Sequence, residues 1–123
     1  MKNSTTNKDK GTKGKIGENL ASLFLRKSGY DILERNFYSR YGEIDIIGAK
    51  GDLILFVEVK YRKNDRHSAP SMAVNRAKQE KIKKTALKYI SDNQISDKDF
   101  RFDIIEVTGV KELEINHIEN AFQ

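Results

Sequence analysis

The chain contains no cysteine, one proline and two histidines. Without cysteine it can build neither a disulfide framework nor a thiolate metal site. No apolar run is long enough to span a bilayer. Residues 1–10 lack the apolar segment of a secretory signal. A cytoplasmic location without a membrane partner is the expectation. The histidines, His67 and His117, have no metal-ligand company in the sequence, and nothing pairs either with a serine.

What is present is charge. Of 123 residues, 33% are charged and 37% apolar, enough apolar side chains for one modest core beneath a heavily solvated surface. The net charge of +5 is small, and its distribution says more. Lysine and arginine crowd the stretch from Lys60 to Lys88, whereas the chain after Asp92 is mainly acidic. A local basic surface is the electrostatic footprint of nucleic-acid binding, although a solvated helix face has the same composition.

Residues 1–12 are polar, lysine-rich and aperiodic, and are expected to form a disordered basic arm before a single domain over 13–123. A helix is predicted from Lys13 or Gly14 to Ser28-Gly29, with Ile16, Leu20, Ala21, Leu23 and Phe24 on its apolar face. Strands are predicted over 30–38, 43–47 and 53–60, the last two joined by a turn over Gly48-Ala49-Lys50-Gly51-Asp52. A polar loop over 64–69 and Pro70 precede a long helix over 71–91. Its inner face is Ala73, Ala77, Ile82, Ala86, Tyr89 and Ile90. Strands over 100–107 and 112–118 close the chain. The expected fold class is α/β, a mixed and mostly antiparallel sheet flanked by helices, with the 53–60 strand at its centre.

That central strand carries the main anomaly. Leu53 to Val57 form the continuous apolar run of a doubly covered strand, and Glu58 and Lys60 break it. Period-two alternation puts Glu58 and Lys60 on one face and Val57 and Val59 on the other. On the preceding strand Glu43 and Asp45 share a face. A tight antiparallel turn brings Asp45 beside Glu58, directly or diagonally, with Glu43 competing for that place. Two carboxylates with a backbone carbonyl such as that of Val59 suit Mg²⁺ or Mn²⁺. A cation so held polarises a phosphodiester, and Lys60 is placed to orient water or to stabilise developing charge. A structural ion cluster is the bland reading of the same residues.

Gly17-Glu18 with Ala21 and Leu25, Gly29-Tyr30-Asp31-Ile32-Leu33, Asn36, Gly42-Glu43-Ile44-Asp45, Phe56-Val57-Glu58-Val59-Lys60 with Arg62, and Arg101-Phe102-Asp103 together resemble the bacterial YraN-like family. That family of poorly characterised endonucleases belongs to the PD-(D/E)XK, or restriction-endonuclease-like, superfamily and is similar to archaeal Holliday-junction resolvases. The match covers roughly Lys13 to Thr108. The resemblance implies an αβββαβ core, Asp45 and Glu58 as metal ligands, Lys60 as the catalytic lysine and Glu18 as an additional acidic site residue. Ile44 stands where the superfamily motif has proline, a position without chemistry of its own. Gln79 falls on the second helix, where related nucleases place a polar site residue.

Arg62 is the best phosphate-contact candidate, followed by Arg40 beside Tyr38 and Tyr41 and by the helix face of Lys78, Lys81 and Lys84. Asp103 interrupts an apolar strand and is read as structural, paired with a cation. The expected function is a divalent-metal-dependent DNA endonuclease, with branched DNA as the substrate the resemblance suggests. A homodimer with paired sites follows if both strands of symmetric DNA are cut. The alternatives are a non-catalytic nucleic-acid-binding or adaptor module on the same fold, and a protein-interaction domain with purely structural carboxylates.

Overall fold

The computed structural model describes residues 4–63 and 74–123, with backbone alone for residues 4–10, 12 and 13. The polar loop over 64–69, His67, Pro70, the expected helix start at Ser71 and the inner-face Ala73 lie outside the described residues. The elements are α1 (Ser4–Lys27), β1 (Asp31–Ser39), β2 (Gly42–Lys50), β3 (Leu53–Arg62), α2 (Arg76–Asp92), β4 (Asp99–Thr108) and β5 (Glu114–Phe122).

Gly11 interrupts α1 with φ 61° and ψ −171°, a conformation open essentially to glycine alone. The helix ends at Gly29, whose φ is 97°. Gly29 N–H bonds the Arg26 carbonyl and Tyr30 N–H bonds the Leu25 carbonyl, closing the left-handed cap expected from the sequence. The buried stripe of α1 is Gly17, Ala21 and Leu25, flanked by Glu18 and Ser22. Leu20, Ala21 and Phe24 of the predicted face meet the core, but two of its residues do not. Ile16 and Leu23 are exposed at 43% and 49%, because the small residues let the helix lie close to the sheet.

The five strands lie in sequence order, β1-β2-β3-β4-β5. All neighbours are antiparallel except β3 and β4, which run parallel. A parallel pair needs a crossover, and α2 provides it. The fold is thus the expected α/β arrangement with β3 central. One difference concerns the β2–β3 turn. Only Gly51 and Asp52 form it; Gly48, Ala49 and Lys50 stay in β2 and pair with Leu55, Ile54 and Leu53. Composition marked five residues as turn-like, but ladder pairing claimed three of them.

Each sheet face has its own core. Ala21 and Leu25 of α1 cover Ile46, Leu55, Val57, Ile105 and Val107. Ile82, Ala86 and Tyr89 of α2 cover Ile44, Ile47, Ile54 and Phe56. Thr85 completes the α2 inner face, bonded through its hydroxyl to Lys81 O and Ser39 Oγ. Ala77, predicted to face inward, is exposed, since it lies a turn before the helix meets β2. Among the described residues no helix is long and apolar enough to cross a membrane.

Candidate functional site

The site forms where β2 and β3 stop pairing. Their ladder runs from Lys50 with Leu53 to Ile46 with Val57. Carried one step further, that register sets Asp45 directly opposite Glu58. The Val59 N–H there donates to Asp45 Oδ2 at 2.9 Å. A carboxylate thus satisfies a donor at the end of the ladder that would be costly to bury alone. Of the two acids competing for the place beside Glu58, the register selects Asp45.

Alternation slips at this point. Ile44 packs on the α2 side, whereas Ile46 packs on the α1 side. Residues two apart on a regular strand share a face, so period-two reasoning does not carry across Asp45. The slip lies beside Asn36 of β1, which sits between the Arg35–Ile46 and Phe37–Ile44 pairs. Asn36 has φ 56°, a left-handed conformation that asparagine tolerates better than most residues. β3 keeps its regularity. Ile54 and Phe56 face α2, Val57 and Val59 face α1, and Glu58 and Lys60 share the α2 face as expected.

Asp45, Glu58 and Glu18 are all buried. On the α2 side, Lys78 Nζ lies 2.6 Å from Glu58 Oε2. Burial pulls the Lys78 pKa down, but Glu58, Asp45 and Glu43 overcome it and hold the ammonium charge. Lys60 moves the other way. Burial lowers its pKa, the Arg62 and Lys78 charges add to that, and Glu58 and Glu106 offset it only in part. A cleft of about 350 Å³ opens next to Lys78, lined by Glu43, Asn75, Lys81 and Ile82 among others.

Glu18 approaches from α1. Its Oε1 accepts from Asn36 Nδ2 at 2.7 Å and from Arg35 Nη2 at 3.0 Å. The residue lies off the most apolar positions of α1 and would be exposed if Ile16 and Leu23 faced the sheet. It is buried because the true stripe, Gly17–Ala21–Leu25, runs beside it. Among the described residues no three His, Cys, Asp or Glu side chains are grouped to hold a metal ion. Glu18 therefore does not join Asp45 and Glu58 in a three-carboxylate cluster.

The nucleic-acid candidates divide. Lys78 reaches the acidic pair itself. Arg62 Nε lies 2.7 Å from Glu106 Oε2, so this guanidinium is already engaged across β3 and β4. Gln79 bonds the Val74 carbonyl at 2.7 Å and braces the start of α2. Arg40 lies at the β1–β2 turn, 5.0 Å above the Tyr41 ring and bonded to its hydroxyl; Lys84 approaches the same ring at 5.6 Å. One participant was missed. Glu106 is buried within Ile104-Ile105-Glu106-Val107 and carries the same signal that exposed Glu58, a charge inside an apolar run. The Lys78 contact had no sequence signal, since it depends on how α2 crosses the sheet.

The expected cation beside Asp103 is Arg101, through two bonds of 2.9 Å. His117 Nε2 adds a third contact at 2.7 Å and the Asn120 N–H a fourth at 2.9 Å. His117 thus belongs to a structural cluster on the α1 side of the sheet.

A family model described as "Uncharacterised protein family UPF0102" matches residues 17–107. The chain is 48% identical over 111 residues to a UPF0102 protein of Thermodesulfovibrio yellowstonii, covering 89% of this chain and 94% of that one. It is 47% identical over 112 residues to a UPF0102 protein of Alkaliphilus oremlandii, covering 89% and 96%. A UPF0102 protein of Clostridium tetani is 47% identical over 113 residues, with 89% and 93% covered. None of these three names states an activity.

Proposed function

The chain belongs to the uncharacterised protein family UPF0102, the YraN-like family of its sequence motifs, and we propose that it is a divalent-metal-dependent DNA endonuclease of the PD-(D/E)XK type. The observation that carries this reading is the bond from Val59 N–H, next to Glu58, to the Asp45 carboxylate where the β2–β3 ladder ends, with Lys60 two residues beyond Glu58 on the same strand. The donor set suits a hard cation: two carboxylates from rigid strands, with the Val59 carbonyl as a further oxygen. The Lys78 ammonium on Glu58 supports the fit, since a cation is already drawn to these oxygens. With two protein carboxylates, an ion keeps most of its water, as Mg²⁺ prefers.

When bound, Mg²⁺ or Mn²⁺ supplies Lewis acidity toward a phosphate oxygen and a water of lowered pKa. The protein's own residues do the rest. Asp45 and Glu58 would hold the ion at a fixed place on the sheet. Lys60, with its pKa lowered, donates a hydrogen bond to the attacking water or to a phosphoryl oxygen. Water adds to phosphorus, one P–O ester bond breaks, and the leaving oxygen takes up a proton. The cleft beside Lys78 and Lys81 offers two lysines to a strand backbone. Branched DNA is the proposed substrate by resemblance to junction resolvases.

The test is a panel of branched, nicked, single-stranded and duplex DNA with Mn²⁺ present and absent. Cleavage that needs Mn²⁺ and is lost in Asp45→Asn, Glu58→Gln and Lys60→Met supports the enzyme; no cleavage of any substrate refutes it. One observation favours a second reading. The occupation of Glu58 by Lys78 is what a non-catalytic binding module on this fold also needs. DNA binding that neither Mg²⁺ nor Mn²⁺ alters would identify that module.

A further inference from the structure

Lys78 is fixed at one end and loose at the other. It is the third residue of α2, and its N–H donates to the Asn75 cap at 2.8 Å. Its ammonium reaches Glu58, yet the two partners differ sharply: the Glu58 side chain is 9% exposed and that of Lys78 is 53% exposed. The sheet holds the anion, while the cation ends a flexible four-carbon stem with open solvent beside it. A pair half exposed in this way contributes little to stability. Its release costs little, provided that another cation takes over the buried carboxylate.

A divalent ion on Asp45 and Glu58 would be that cation. At 2.6 Å the Lys78 ammonium occupies the oxygen such an ion would use, and its charge repels the ion. We infer that Lys78 is a resident competitor for the metal, displaced from Glu58 when an ion binds and captured by a nucleic-acid phosphate in the adjoining cleft. This rests on the metal site proposed above. The cleft beside it, with Lys81 one turn further along α2, is the nearest place for a polyanion. A phosphate there draws Lys78 away and frees Glu58, so metal and nucleic acid each tighten the binding of the other by the same factor.

Isothermal titration with Mn²⁺ tests this, with paramagnetic broadening of the Asp45 and Glu58 amides as a second readout. Wild type, Lys78→Met, Lys78→Gln, Lys81→Met and Asp45→Asn are compared, with and without a short phosphorothioate duplex that resists cleavage. Lys78→Met and Lys78→Gln should bind Mn²⁺ roughly fivefold tighter than wild type without the duplex. Lys81→Met makes the same charge change and should stay within about twofold. The duplex should tighten Mn²⁺ binding to wild type and leave the Lys78 variants nearly unchanged. Equal Mn²⁺ affinity in wild type and both Lys78 variants, with binding still lost in Asp45→Asn, would overturn the competitor role and leave the metal site standing. Absence of Mn²⁺ binding from every protein, with or without duplex, would overturn both.

Discussion

Replacing Asp103 by Asn keeps the shape of a fully buried side chain and removes its charge. Four donors converge on this carboxylate: two from Arg101, one from His117 and the Asn120 N–H. They tie β4 to β5 where the register shifts between Phe102 and Ile104. An asparagine amide presents hydrogens where two of these donors point. Breaking a buried ion pair by removing one partner costs about 3–5 kcal/mol. Arg101 is 22% exposed and can recover some water, so about 2–4 kcal/mol is expected. For a domain of this size that is a fall in Tm of roughly 10 °C.

The pH dependence has a definite sign. Burial raises the Asp103 pKa, but the bonds from His117, Arg101 and Asn120 together outweigh it and hold the carboxyl below its ordinary value. A lowered folded-state pKa contributes stability that is complete above the unfolded value of about 4 and is lost as pH falls through the folded value. The gap between wild type and Asp103→Asn should therefore be constant from pH 7 to about 5 and shrink below pH 4. Urea unfolding at pH 7, 5 and 3, followed by far-ultraviolet circular dichroism, measures it. A variant within about 0.5 kcal/mol of wild type at pH 7 refutes the claim that this network holds β5, and so does a gap undiminished at pH 3.

Other perturbations separate structure from chemistry. Asp45→Ala should be less stable than Asp45→Asn by about 1 kcal/mol in thermal melts, because only asparagine can still accept from Val59 N–H. Gly109 has φ 117°, and an added Cβ would run into the Glu112 carbonyl oxygen. Gly109→Ala should cost about 2 kcal/mol or more in urea unfolding, by strain and by disturbing the bonds that link Gly109 to Arg62 and Tyr61. Glu106→Gln releases Arg62 from its ion pair; DNA affinity should rise and its salt dependence steepen by roughly 0.9 in log–log slope if the freed guanidinium gains one phosphate. An unchanged slope assigns Arg62 to the sheet alone.

The order of elements was legible because β2, β3 and β4 carry apolar runs and the breaks at 28–30, 51–52, 93–98 and 109–113 carry Gly, Asp or Asn. Glu58 and Lys60 were legible for the same reason: β3 keeps period two, so their shared face follows from counting. Arg101 and Asp103 lie two apart on one strand, so their pairing was also within reach. Glu106 had the same signature as Glu58. The α1 face was partly misread: Leu20, Ala21 and Phe24 face the core, but hydrophobicity also pointed to Ile16 and Leu23, whereas close packing selected Gly17.

The α/β class, the central place of β3 and the intrusion of charge at its end can be read from the order and periodicity of the segments along the chain. Where the β2–β3 ladder stops, that Asp45 then turns its carboxylate to Val59, that Glu18 is buried against Asn36 and that Lys78 closes on Glu58 all follow from long-range packing. The last three join residues 14 to 20 positions apart through strand register or helix placement. Register and crossing geometry are fixed by packing both cores at once, and no local pattern encodes them.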